Sequence, residues 1–214
     1  MSSIKLESNA SGTGIFTIAS PNSNTNRTLT LPDNTGTILT AASTPAFAST
    51  IGVGGATAAA SGAGITFPAT ASASSDVNTL DDYEEGTWTP IIGGSSGQSG
   101  QSYTLQVGTY VKVGKIVVAS FRATLSNKGT ISGTYVQIKG LPFTIQTAEI
   151  QSGSPLYFVS LATNWITLNL QTEENSTNAY VWGMTAAGVS RTYPAESDIG
   201  NSTQLSGILV YQST

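Results

Sequence analysis

The chain has 214 residues and contains neither cysteine nor histidine. Without thiols there can be no disulfide, thiolate metal site or cysteine nucleophile. Without imidazole, Ser-His-Asp and Cys-His catalysis are excluded, as are histidine metal sites. Charge is scarce too, with Lys and Arg totalling 8 against 12 Asp and Glu, a formal net charge of −4. Residues 1–86 hold seven of the acids and two of the bases, and residues 87–214 hold five acids and six bases. Neither part has a basic field able to neutralise several phosphates, so no nucleic-acid partner is expected. No apolar run approaches the length of a bilayer span, and Met1-Ser-Ser-Ile-Lys-Leu-Glu7 lacks the basic start and apolar core of a signal peptide. Folding in a cytoplasm without membrane insertion is the expectation. A sustained helical apolar repeat is missing as well, while glycine is abundant at 23 residues. The fold class this predicts is all-β.

What is present divides the chain in three. Residues 1–40 read as short strands, with Phe16 and Ile18 alternating against Ile15 and Thr17, and Leu29 and Leu31 against Thr28 and Thr30. The loops Pro21–Asn26 and Leu31–Gly36 separate and follow them. So little apolar surface per strand cannot make a stable ribbon alone, and the simplest source of a covering surface is another copy of the same chain. Residues 41–86 are built from Ala, Gly, Ser and Thr, punctuated by Phe47, Ile51, Val53, Ile65 and Phe67, with no charge between Asn34 and Ser75. One reading is a flexible linker. The preferred one is a trimeric rod, where small residues let backbones approach and the few large ones form thin apolar layers. The segment closes on an acidic collar, Leu80-Asp-Asp-Tyr-Glu-Glu-Gly-Thr-Trp-Thr-Pro90.

From residue 87 to 214 the strand signal strengthens. Tyr103, Leu105 and Val107 alternate with polar neighbours, and Gly114-Lys115 is a tight-turn candidate between Tyr110–Val113 and Ile116–Leu125. In the returning strand Val117, Ala119, Phe121, Ala123 and Leu125 share one face, as a half-buried antiparallel strand requires. Further runs at 135–139, 156–161, 165–170, 180–184 and 205–211 complete the pattern of a β-sandwich head of jelly-roll type. Trp88, Trp165, Tyr180 and Trp182 are expected in packing roles.

Several of these stretches are familiar in combination. Asn26-Arg-Thr-Leu-Thr-Leu-Pro-Asp-Asn-Thr-Gly-Thr-Ile-Leu39 resembles a segment of bacteriophage tail fibres and other virion fibres. Ser61-Gly-Ala-Gly-Ile-Thr-Phe-Pro68 followed by Leu80–Pro90 resembles the join before the C-terminal domain of fibres from tailed phages, including those of cyanobacteria and marine bacteria. Gly108-Thr-Tyr-Val-Lys-Val-Gly-Lys115 and Ile138-Lys-Gly-Leu-Pro-Phe143 resemble strands of that domain. The resemblance covers most of residues 26–143, and this chain is shorter than the family's usual members. It implies a homotrimer on the virion tail, attached to other tail or baseplate proteins by its N-terminus and binding a host surface glycan or protein with its C-terminal domain. The alternative is a purely structural capsid or baseplate fibre without a receptor of its own.

The chemistry left to such a chain is limited. Hydrolysis of a glycan needs two carboxylates across a cleft, and the head offers only Glu149, Glu173, Glu174, Glu196 and Asp198. Glu173 and Glu174 are adjacent, read as a solvated turn, and no enzyme activity or cofactor is expected. Asp81, Asp82, Glu84 and Glu85 are a weak candidate for a hard cation, but they lack the spaced pattern of a dedicated loop, and an exposed acidic collar is the simpler reading. For receptor contact the loop Thr185–Ser202 stands out, because it is long and joins Arg191 and Tyr193 to Glu196 and Asp198. Gln171–Asn178, with Glu173 and Glu174, is the second candidate.

Overall fold

The structure, a computed structural model, describes residues 11–15, 17, 22–26, 28, 50–59, 61–70, 74–76, 78–147 and 153–214. Met1–Ala46 and Phe47–Thr214 are two separate units. The alternations expected at Phe16 and Ile18 and at Leu29 and Leu31 lie outside the described residues, as do Phe47 and Glu149. In the second unit β1 (Ile51–Gly52) and β2 (Ile65–Thr66) pair in parallel, with Ile51, Val53 and Ile65 exposed.

The rest is one antiparallel sheet. Its strands are β3 (Tyr83–Trp88), β4 (Ile91–Gly94), β5 (Gly97–Ser99), β6 (Ser102–Val113), β7 (Ile116–Asn127) and β8 (Thr130–Ser132). They continue with β9 (Val136–Lys139), β10 (Gly153–Leu161), β11 (Thr167–Thr172), β12 (Asn178–Met184) and β13 (Ile199–Gln212). The 11 strands run in the order β3-β6-β7-β13-β10-β11-β12-β9-β4-β5-β8.

That order forces the sheet to curl. β3 and β4 are eight places apart, about 38 Å in a flat sheet at ~4.8 Å per strand. Yet only Thr89 and Pro90 join them, a reach of about 10 Å. The sheet therefore bends back on itself, and the two arms are tied side to side. The Ile92 N–H donates to the Tyr103 hydroxyl at 3.1 Å, and the Gln106 amide donates to the Pro90 carbonyl at 3.0 Å. One core fills the curl. Val117, Ala119, Phe121, Ala123 and Leu125 of β7 and Leu205, Leu209 and Tyr211 of β13 meet Ile92, Ile138, Leu168, Leu170 and Val181 of the other arm. Burying each large aliphatic side chain here contributes about 1.5–3 kcal/mol.

The β6–β7 hairpin turns at Gly114-Lys115, where Gly114 has φ of 54°, a conformation only glycine adopts without strain. Its inward β7 residues are those the alternation predicts. β6 departs from its own alternation: the register shifts between Tyr103 and Leu105, an irregularity of the β-bulge kind. Tyr103 packs on the core, while Val107 emerges on the outer side.

The acidic stretch is an edge strand of the head. The boundary expected at residue 87 falls inside β3, which pairs along its length with β6 from Tyr83↔Val113 to Trp88↔Gly108. Asp82 is buried and ion-paired with Lys112, and Glu84 accepts a hydrogen bond from the Tyr110 hydroxyl. That bond, with burial and the carboxylate's charge adding to it, pushes the Tyr110 pKa up to about 12. Gly108 lets the Trp88 indole lie over its backbone, since a Cβ there would sit 2.6 Å from the ring nitrogen. The indole N–H then donates to the Ser120 carbonyl at 3.1 Å. Phe143 closes the arrangement, edge-on to Tyr110 at 5.2 Å and beneath the Lys112 ammonium.

Candidate functional site

Sequence places Tyr180 and Trp182 in packing roles and looks to loops for ligand contact. The outer side of the second arm departs from this. In β12 the small or branched residues Ala179, Val181 and Gly183 point inward, so Tyr180 and Trp182 project outward and are half-buried. Register sets Tyr180 between Gln137 of β9 and Gln171 of β11, and Trp182 opposite Asn169.

The segment after β12 folds back beside this face. Gly183 and Thr192 exchange two backbone hydrogen bonds of 2.8 and 2.9 Å, and the Val136 N–H donates to the Pro194 carbonyl at 2.9 Å. These bonds hold Tyr193 against Tyr135 and Tyr180, with ring centroids 5.5 and 6.2 Å apart, and Tyr135 lies 5.3 Å from Tyr180. The tilted and edge-on geometries are those aromatic quadrupoles favour. Arg191 projects over the Trp182 ring at 5.6 Å and donates to the Gln171 side-chain oxygen at 2.9 Å.

Glu173 anchors the cluster. One carboxylate oxygen accepts from the Tyr180 hydroxyl at 2.7 Å. The other accepts from Asn178 at 2.9 Å, Gln137 at 3.0 Å and Ser176 at 3.1 Å. Burial alone would raise its pKa, but the bonds from Tyr180, Asn178, Ser176 and Gln137 together outweigh that and hold it below the ordinary carboxylate value. Tyr180 moves the other way, pushed up by burial, by its bond to Glu173 and by that carboxylate's charge. At neutral pH the pair is thus an ionised acceptor and a protonated donor. The arrangement fixes ring orientation and leaves no proton near its exchange point.

The candidate residues divide accordingly. Arg191, Tyr193 and Glu173 come together on this face. Glu174 lies exposed in the turn beside it. Glu196 instead pairs with Lys128 at 2.9 Å, and Asp198, in the 3-10 turn Glu196–Asp198, is buried and accepts the Ala195 N–H at 2.8 Å. Glu173 is not the solvated turn residue its acidic neighbour suggested; its donors come from four positions between 137 and 180, a convergence set by strand pairing. Tyr135, Tyr180, Trp182, Gln137 and Gln171 were missed as members. For Tyr180 and Trp182 the sequence signal is the alternation of small or aliphatic with aromatic residues in Ala179-Tyr-Val-Trp-Gly183.

In the acidic stretch, Asp82 and Glu84 turn towards Lys112 and Tyr110, while Glu85 is exposed and Asp81 accepts the Ser74 N–H at 2.7 Å. Among the described residues no group of three or more Asp or Glu is placed to hold a metal ion, and no helix is long and apolar enough to cross a membrane. No protein-family model, curated protein or solved structure matches the chain.

Proposed function

We propose that this chain is a homotrimeric virion fibre, fixed to a phage tail by its N-terminal segment, whose curled-sheet head adheres to carbohydrate on the host surface through the Tyr135–Tyr180–Tyr193 face. The observation that carries the adhesive part is the ring cluster itself. Three tyrosines and the Arg191–Trp182 stack share one open side of the sheet, held in place by a carboxylate with four side-chain donors. Pre-oriented rings offer flat apolar surface to a pyranose, and the exposed Arg191 guanidinium offers a donor for its hydroxyls. The fibre part is supported by the sequence resemblance over residues 26–143 and by exposed Ile51, Val53 and Ile65, which are apolar side chains of the rod segment for other copies to cover.

Adhesion without hydrolysis is the chemistry these residues favour. Glu173 is ionised and engaged, and Glu196 is paired with Lys128, so the described head has no carboxylic acid and carboxylate facing each other across a cleft.

Polar contacts to a sugar contribute on the order of 1 kcal/mol each, so adhesion gains from three heads acting together. The double change Arg191→Ala and Tyr193→Ala should lower adsorption of the purified protein to host cells at least about tenfold with the far-UV spectrum unchanged. Undiminished adsorption by the folded double variant would remove the ring face from the proposal. No adsorption by the wild type would favour the purely structural fibre.

A further inference from the structure

The first arm of the sheet has an outer side of a different kind. Its outward positions on β6, β7, β13 and β10 include Val107, Val111, Val118, Ile208 and Tyr157, all exposed, with Ile208 at 53 % and Tyr157 at 60 %. Strand register makes them one surface. Val111 lies opposite Val118, Ser120 opposite Ile208, and Val107, Arg122, Ser206 and Tyr157 form a row across four strands.

From this face we infer a self-association surface of the head, on which a second copy of the chain docks. The extent fits. Four strands, β6, β7, β13 and β10, at ~4.8 Å and about eight residues at ~3.4 Å give a footprint of about 520 Å² before side-chain relief is added. A stable protein contact takes about 800 Å² from each partner, and an interface of that size mixes exposed apolar side chains with polar ones, as this face does.

Charge selects the occupant. The face and its flanking strand β3 carry one acid, Glu85, and one base, Arg122, the latter donating to Gln204 at 3.0 Å. A surface so balanced offers nothing to a polyanion or an anionic membrane. Against its own copy it meets no like-charge repulsion and supplies each of its two charges with a counter-ion. Relief agrees with this. A hollow of about 180 Å³ between Val107, Thr109, Ser120 and Arg122 sits beside the protruding Ile208 and Tyr157, so the same face carries both socket and knob. This contact is independent of what the ring face binds. It adds to the fibre reading an assembly surface outside the N-terminal rod.

The absence of cysteine makes the test direct. Val118→Cys, a near-isosteric change at the centre of the face, is compared with Thr163→Cys in an exposed loop, both in the full chain at micromolar concentration. In a self-associated protein, maleimide labelling at position 118 should be at least about tenfold slower than at 163, both rates being normalised to the urea-unfolded chains. Adding Ile208→Lys should return labelling at 118 to the control rate, because it sets like charges against each other in the contact. Equal labelling of the two single variants in an oligomer would overturn this surface while leaving a trimer held by its N-terminal rod. Equal labelling in a monomer would overturn both. Slow labelling in a monomer would mean that the face is covered from within the chain, which also overturns the proposal.

Discussion

The head's two outer faces are built on one core and one hydrogen-bonded sheet, yet they share almost no chemistry. Over β6, β7 and β13 the outward residues are mostly Val, Ile, Thr and Ser, joined by a few side-chain bonds such as Thr109 to Ser120 at 2.8 Å and Arg122 to Gln204 at 3.0 Å. Over β9, β11 and β12 they are Tyr, Trp, Gln and Asn, bound into a network around Glu173. An aliphatic face gains by being covered over its whole extent, which suits a broad contact with its own kind. A networked aromatic face holds its orientations without any partner, which suits small polar ligands. One sheet thus presents two kinds of outer surface over a shared core, because alternation lets inner and outer residues be chosen separately.

The largest effect should come from what the faces share. Phe121→Ala removes a buried ring that packs against Trp88 at 5.7 Å, and should cost about 3–5 kcal/mol in urea unfolding, weakening adsorption and association alike. A loss confined to one function would show that the faces rest on separate supports.

Glu173→Gln is expected next, at about 2 kcal/mol, and confined to the ring face. Its pH dependence has a definite sign. A carboxyl whose folded pKa is lowered contributes stability above its ordinary value of 4.5 and loses it as pH falls through the lowered value. Thermal unfolding should therefore show a constant gap between wild type and variant above about pH 5, closing as the pH falls further. A gap that persists at the acid end would mean that the carboxylate's charge is not what holds the rings.

The smallest effect belongs to Val111→Thr. Valine there is exposed, and threonine is as good a strand residue, so head stability should change by less than about 0.5 kcal/mol. Sedimentation should nevertheless register weaker association. A large loss of stability instead would place Val111 among the head's packing residues.

Much of the fold was readable in advance. The inward set of β7 followed from alternation, and the turn at Gly114 from its local chemistry. The pairing of β3 with β6 did not, although both stretches stood out individually. Asp82 finds Lys112 and Trp88 finds room over Gly108 only once strands some 20 to 30 residues apart lie side by side. Val107 was assigned with Tyr103 and Leu105, and the irregular register between them reverses its direction. For the site, Arg191 and Tyr193 were picked out by loop length and residue type, while Tyr180 and Trp182 were read as packing residues. Alternation states which residues share a side of a strand; whether that side meets the core depends on the rest of the sheet.

β13 is the last strand of the sheet in chain order, yet it lies mid-sheet, between β7 and β10. During synthesis β6 and β7 leave the ribosome with one edge open, and the strand that seals it follows only after β8 to β12. A chain cut short by even one strand would not be a slightly smaller head. It would have two unsealed edges and half a core, a ready substrate for cellular proteases. Closure of the whole sheet therefore waits on the strand that is made after all its neighbours.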